Sequence, residues 1–269
     1  SLEDPNPLVA GQGFARLRAA GVAVEVGPGA AESRELNIGF FSRMLRGTPW
    51  VRLKVASSLD GTTALTNGAS QWITSPDARA DGHAWRARAC AVLTGIGTVL
   101  ADNPRLDVRE VQTPRQPKAV VLDSRLQTPA DAHLFVADRA CLIYATGPLD
   151  PIFSARKTAL EARGATVLQL PSPAGQVDLH GVLRDLALRG VNELHVEAGH
   201  RLNGALLRQG LVDELLLYLA PRMLGPGRGM ADLAPLESLA DGLALEFHST
   251  QMIGPDLRVL ARFQRPPWF

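Results

Sequence analysis

The feature that most constrains this chain is the alternation of short apolar runs with amphipathic segments. From residue 51 onward, runs rich in Val, Leu and Ile lie at 51–57, 90–94, 119–123, 141–145, 165–168 and 194–197. Amphipathic stretches fall between many of them, at 75–89, 152–163, 177–189 and 202–209. Strands buried on both faces and joined by helical crossovers give this pattern, so the reading is an α/β domain with a mainly parallel central sheet flanked by helices. Three further strand-like runs, at 214–220, 243–251 and 257–263, follow almost in succession and read as antiparallel strands at the C-terminal edge.

The first fifty residues follow a different pattern. A Pro/Gly-punctuated loop, a helix, a short strand at 22–26 and a helix at 30–45 carrying Leu36, Phe40, Phe41 and Met44 are too small a set to hold a core. "RGTPW" at 46–50 breaks the pattern and marks a boundary, with 1–48 as one unit and 49–269 as the other.

Charge narrows the partners. The 28 basic and 27 acidic residues leave +1, so no net field draws the chain to nucleic acid or to an acidic membrane, and an anion has to be bound locally. No apolar run approaches the ~18 residues of a membrane helix, and no signal-peptide layout opens the chain, which reads as cytoplasmic. Cys90 and Cys141 each begin an apolar run and read as reduced core thiols.

Several motifs could carry chemistry. "GIGTVL" at 95–100 follows a strand and opens a helix, but Leu100 stands where a dinucleotide fingerprint needs a small residue. "HVEAGHRLNGALL" at 195–207 places small residues between a strand end at Glu197 and a helix start, where freed backbone N–H groups bind anions. Its "HVE" imitates a zinc-deaminase motif, yet two isolated cysteines cannot supply the ligand pair, so no metal is expected. In "SQWITSP" at 70–76, Ser75 or Thr74 reads as a helix cap with Pro76 at the first helical position, which leaves functional weight on Ser70 and Trp72. Lys54 is one of only three lysines and alternates with Val51, Leu53 and Val55, which favours an ammonium facing a site.

In order, "VRLKVASSLDG", "SQWITSP", "LTGIGTVLADNPRLDVR", "VVLDSRLQTP", "VEAG" and "GLVDELLLYLAPRMLG" resemble the reductase half of the bacterial bifunctional riboflavin-biosynthesis deaminase/reductase. The opening "EDPNPLVAGQGFARLRAAGVAVEVG" is similar to the tail of that family's zinc deaminase domain, so 1–48 reads as a remnant of it plus a linker, with a deaminase domain upstream in the full-length protein. The turn after Glu197 departs from the family pattern, with Ala198-Gly199 where many relatives carry two glycines.

The resemblance implies a dihydrofolate-reductase-like fold, NADPH as hydride donor, and 5-amino-6-(5-phosphoribosylamino)uracil as the substrate whose ribosyl unit is reduced to ribityl. It implies that Ala56, Trp72, Thr98, Asp102, Ser124 and the turn Gly199, His200, Arg201, Leu202, Asn203, Gly204 and Ala205 line the NADPH site. Ser70, Arg86, Leu106, Arg109 and Glu197 would line the substrate, and Lys54, Asp102 and Glu197 are the ionisable groups available for catalysis. Arg125 beside Ser124 suits a 2′-phosphate, which a guanidinium can hold bidentately. The long run "DELLLYLAP" and the strands after it leave an edge that predicts a homodimer. Another pteridine- or pyrimidine-directed reductase of this fold, and a non-catalytic scaffold for a deaminase, remain the alternatives.

Overall fold

The computed structural model describes residues 2–148 and 150–264. Three helices come first, α1 (Gln12–Ala19), α2 (Ala30–Leu36) and α3 (Ile38–Arg46), and then β1 (Trp50–Ser58), β2 (Ala64–Leu65) and α4 (Pro76–Arg88). β3 (Ala91–Gly95), α5 (Ile96–Asp102), β4 (Lys118–Leu122), β5 (Cys141–Ala145), α6 (Pro151–Glu161), β6 (Ala165–Gln169), α7 (Leu179–Leu188), β7 (Glu193–Val196) and α8 (His200–Arg208) continue the alternation. The chain closes with β8 (Glu214–Ala220), the two-residue β9 (Gly227–Arg228), β10 (Leu245–Ile253) and β11 (Asp256–Phe263).

Nine strands form one sheet in the order β10-β11-β8-β1-β7-β3-β4-β5-β6, with every pairing parallel except the two that β11 makes, with β8 and with β10. Only two of the three closing runs are therefore antiparallel. β8 joins β1 in parallel because α8 carries the chain back across the sheet after β7, the crossover that a parallel pair requires. The antiparallel edge is the β10–β11 hairpin, turned at Gly254.

The two faces of the sheet are filled differently. On one face Val51, Leu53 and Val55 join Leu93, Leu194, Val196 and Leu217 in a continuous apolar cluster under α7 and α8. On the other, an apolar patch under α5 and α6, containing Val121, Ile143 and Phe153, is separate from a smaller one under α4 made by Ala78, Leu216, Tyr218 and Leu260. Between those patches the middle strands carry charged side chains.

The N-terminal segment departs from expectation at three points. Residues 22–26 are exposed apart from the half-buried residue 24, and form no ladder. The expected single helix at 30–45 is broken at Asn37, whose side chain turns back to donate to the Ser33 carbonyl at 2.9 Å and competes with helical bonding. α3 docks on the sheet: Ile38 and Phe41 are buried, Arg46 makes a bidentate pair with Asp213 at 2.6 and 2.9 Å, and Arg43 donates to Asn192 at 2.6 Å. α1 and α2 bury no residue.

Candidate active site

β7 has four residues and pairs with β1 only as far as Leu53, while β1 runs on to Ser58. The flank of β1 toward β3 is therefore open from Lys54 onward. A notch forms at the carboxyl ends of β7 and β3, where the strand order switches and open α/β sheets place ligands.

Alternation fills this notch with polar groups. Arg52, Lys54 and Ala56 face α4 from β1, and the same two-residue period brings His195 and Glu197 to that face from β7. Arg86 reaches down from α4 and clamps Glu197 with two hydrogen bonds, from Nε to Oε1 and from Nη2 to Oε2 at 2.7 Å, while its Nη1 donates to the Asp107 carbonyl at 3.1 Å. On the sheet side, His195 Nε2 lies 3.3 Å from Glu197 Oε1. The Lys54 ammonium is 5.7 Å from the centroid of Tyr218, whose hydroxyl donates to Asp81 at 2.5 Å. Arg258 holds Asp81 from β11 at 2.9 and 3.0 Å.

The charges are unequal in character. Burial would push the Glu197 carboxyl up, but the Arg86 guanidinium and the His195 contact outweigh it and hold the group well below the usual carboxylate range. Glu197 is thus an ionised acceptor at neutral pH. Burial lowers the Lys54 ammonium below its ordinary value, Glu197 raises it, and Arg86 lowers it again. Lys54 is the member of the pair that can release a proton.

The loop after α5 completes one wall. Asn103 and Leu106 both have positive φ, 41° and 54°, a strained choice of about 1–3 kcal/mol each for residues with side chains. Asn103 Oδ1 is anchored by the His133 N–H at 2.8 Å, and Leu106 is buried. The turn that results puts the buried Asp107 carboxylate between Arg105 Nε, at 2.9 Å, and Arg109 Nη1. Arg86 and Arg109, from separate elements, therefore meet at Asp107.

A second group of expected residues gathers beside the notch. The turn after β7 faces the start of α5, because a Cβ on Gly199 would lie 3.9 Å from Thr98 Oγ1. No side chain caps α8 at Gly199, so its first N–H groups and the positive end of its dipole face this gap. Ser124, Leu202 and Ala205 line an adjoining cavity of about 500 Å³ with Gln176 and Asp178. The gap and the cavity together offer an anion-binding helix start beside a pocket, a combination suited to a phosphate-bearing ligand.

Other expected residues are placed elsewhere. Asn203 donates to the Met230 carbonyl at 2.8 Å, and a Cβ on Gly204 would run into the Asp232 carbonyl, so these two hold the 230–232 segment against α8. Asp102 ends α5 and is exposed, as are Arg201 and Arg125, and Arg125 is not part of the cavity lining. Trp72 is 64% exposed with the Arg79 guanidinium 4.6 Å from its ring centroid, and Ser70 is half-buried in the loop before α4. Ser75, not Thr74, caps α4 by accepting from the Ala78 N–H at 3.3 Å.

Sequence reasoning missed Arg52, His195, Asp81, Asp107 and Tyr218. Arg52 is 2% exposed and held by Glu214 at 2.5 Å and Glu193 at 3.0 Å, with the Trp85 ring 4.4 Å from its guanidinium. A signal was present: charged or polar residues recur two apart within apolar strands, at Arg52 and Lys54, at His195 and Glu197, and at Glu214 and Tyr218.

The nine-stranded, mostly parallel sheet, with a desolvated ammonium and an ionised carboxylate together at a strand-order switch, is that of the α/β oxidoreductases of the dihydrofolate-reductase-like class. Residues 49–259 match the RibD C-terminal domain, and the chain belongs to that family. It is 40% identical over 262 residues to the riboflavin biosynthesis protein RibD of Escherichia coli, covering 96% of this chain and 71% of that protein. The structure of Acinetobacter baumannii RibD superposes with a TM-score of 0.85 at 36% identity, covering 98% of this chain and 71% of that one. The Thermotoga maritima diaminohydroxyphosphoribosylaminopyrimidine deaminase/5-amino-6-(5-phosphoribosylamino)uracil reductase gives 0.81 at 25% identity, covering 98% and 70%. Among the described residues no helix is long and apolar enough to cross a membrane.

Proposed function

We infer that this chain reduces the ribosyl group of 5-amino-6-(5-phosphoribosylamino)uracil to the ribitylamino product of riboflavin biosynthesis, with NADPH as reductant. The observation that carries the reading is the Lys54–Glu197–Arg86 cluster in the notch above β7. NADPH, when bound, supplies the hydride; Thr98, the Gly199–Leu202 turn, Ser124 and Ala205 would hold it. Hydride reaches the anomeric carbon only once the sugar ring has opened, which requires a proton at the departing ring oxygen or at the exocyclic nitrogen. Lys54 holds that proton and gives it up readily because its ammonium is desolvated. Glu197 is locked in the ionised form, so its part is to accept a hydrogen bond from the substrate and keep Lys54 charged until the proton moves. Arg109, with Arg86, takes the substrate phosphate at the mouth of the notch, where Arg109 is half exposed and Asp107 steadies it; Ser70, in the loop before α4, is the third donor that the family resemblance assigns to the phosphate. Asp102, at the exposed end of α5, is assigned to the cofactor rather than to proton transfer.

Residues 1–48 we assign to the end of a neighbouring deaminase unit, with α3 as its contact to the sheet. A second copy of this chain is the partner assigned to the outer hairpin, because β10 is exposed along nearly all of its length, Phe247 to 80%. Sedimentation at micromolar concentration tests the dimer. The reaction is tested by supplying the deaminated phosphoribosylamino-pyrimidine and NADPH and identifying the product by mass. A ribityl product two hydrogens heavier supports the reading. Turnover of dihydrofolate without turnover of this substrate would assign the site to the other reductase class.

A further inference from the structure

His195 is fully buried, and neither of its ring nitrogens completes an aligned hydrogen bond among the described residues. An imidazole buried in this state gives up its water without full compensation, a cost that an apolar strand residue would avoid. The charged groups that act on it are Glu197, just past the end of β7, Arg52, its register partner on β1, and Arg86 from α4, with Glu193, Glu214 and Arg88 in the ion-pair network around Arg52. Arg52 is engaged by Glu214 and Glu193, and Arg88 by Glu193 at 2.8 Å. The carboxylate within reach of the ring is Glu197, whose Oε1 lies 3.3 Å from Nε2 and can close on it by a small rotation.

The tautomer follows from the neighbours. A carboxylate only accepts, so Nε2 carries the proton toward Glu197. A second proton on Nδ1 would set an imidazolium between the guanidinium groups of Arg52 and Arg86, with a buried N–H lacking an acceptor. The neutral Nε2–H form is what these surroundings permit.

We propose that His195 is a positioning residue, whose Nε2–H backs Glu197 Oε1 from the floor of the sheet and keeps the carboxylate beside Lys54 when substrate engages Arg86. Arg86 grips Glu197 from the α4 side only; His195 supplies the opposing hold from β7. This rests on Glu197 belonging to the substrate site, as inferred above.

The test uses the full chain with His195→Leu, which fills the volume without a donor, and His195→Gln, which returns an N–H near the Nε2 position. The leucine variant should lose about tenfold in kcat while its Kd for NADPH changes by less than about twofold, and the glutamine variant should recover to within about threefold of the parent. Equal activity in the leucine variant and the parent, or equal damage in both variants, would overturn the role. Nitrogen-15 NMR of the histidine rings in the unsubstituted protein is the second readout and needs no substrate. It should show a neutral Nε2–H ring at neutral pH, and an Nδ1–H tautomer or an imidazolium would overturn the proposal. Should the parent fail to reduce the pyrimidine, the functional reading falls, while the NMR signal still decides the placement of the imidazole proton.

Discussion

β1 presents two unlike faces within six residues. Val51, Leu53 and Val55 enter a continuous apolar cluster, whereas Arg52, Lys54 and Ala56 line a charged strip between two separate apolar patches. The period of two that builds a strand thus assigns folding to one set of side chains and chemistry to the other. The charged strip is itself divided. At the base of the notch Arg52 is fully enclosed and satisfied by Glu214 and Glu193, whereas higher up the Lys54 ammonium has Glu197 for a counter-charge only through an electrostatic contact, since Arg86 has taken both carboxylate oxygens. Satisfied charge fixes the geometry, and the incompletely satisfied charge beside it is the one to which we assign reactivity.

The sharpest break of this comparison is Lys54→Met. Removing the proton donor should lower kcat by roughly 10²–10⁴-fold, as for general acids elsewhere, with little loss of stability because a desolvated ammonium is replaced by an apolar chain of similar length. Single-turnover rates and a urea melt on the same sample check both halves. A loss of stability with the rate intact would invert the account.

Arg52→Met should do the opposite. It leaves the buried Glu214 with Arg262 as its remaining partner, at 3.0 Å, and should cost about 3–5 kcal/mol in denaturant unfolding with KM for both reactants unchanged in the folded fraction. Leu53→Ala, on the apolar face, should cost about 2–5 kcal/mol by opening a cavity, again without a change in kcat per folded molecule. If Leu53→Ala slows chemistry more than it weakens the fold, the division between the faces fails.

A smaller effect sharpens the upper part of the strip. Glu197 raises the Lys54 ammonium, whereas burial and Arg86 lower it. In Glu197→Gln the raising influence is gone, so the alkaline limb of kcat/KM, where Lys54 loses its proton, should move to lower pH. A limb that stays or moves upward would show that another group sets it. The smallest change is expected from Arg125→Ala. Being exposed, Arg125 should contribute about 1 kcal/mol to binding the 2′-phosphate, seen as a raised KM for NADPH with that for NADH unchanged.

Strands buried on both faces announce themselves as apolar runs, which is why β1, β3, β4, β5, β7 and β8 were legible in the sequence. The direction of β8 was not, because a run's polarity depends on the crossover that precedes it and not on its own residues. The break at Asn37 was hidden for a similar reason: a side-chain bond to Ser33 decides it against the surrounding periodicity. Within the site, Lys54, Arg109 and Glu197 lie in the quoted motifs and Arg86 came only with the family resemblance; the structure brings Lys54, Arg86 and Glu197 into one cluster, with Arg109 joined to it through Asp107. Asn203 and Gly204 lie in a matching motif as well, yet their packing against residues 230–232 is a tertiary fact that no local pattern carries. His195 was read only as part of a zinc-motif imitation, although its spacing of two from Glu197 already placed both on one face of the strand.

We assign the meeting of hydride, proton and opened sugar to the notch between β1 and β3. The most direct test of this assignment is isotopic: NADPH carrying deuterium at the transferable position is given with the phosphoribosylamino-pyrimidine to the parent chain and to Lys54→Met, and product and bound cofactor are quantified by mass spectrometry and titration. The expected result is one deuterium on the former anomeric carbon with the parent, no product above background with the variant, and the same NADPH affinity for both. Deuterated product formed as fast by Lys54→Met as by the parent would contradict it.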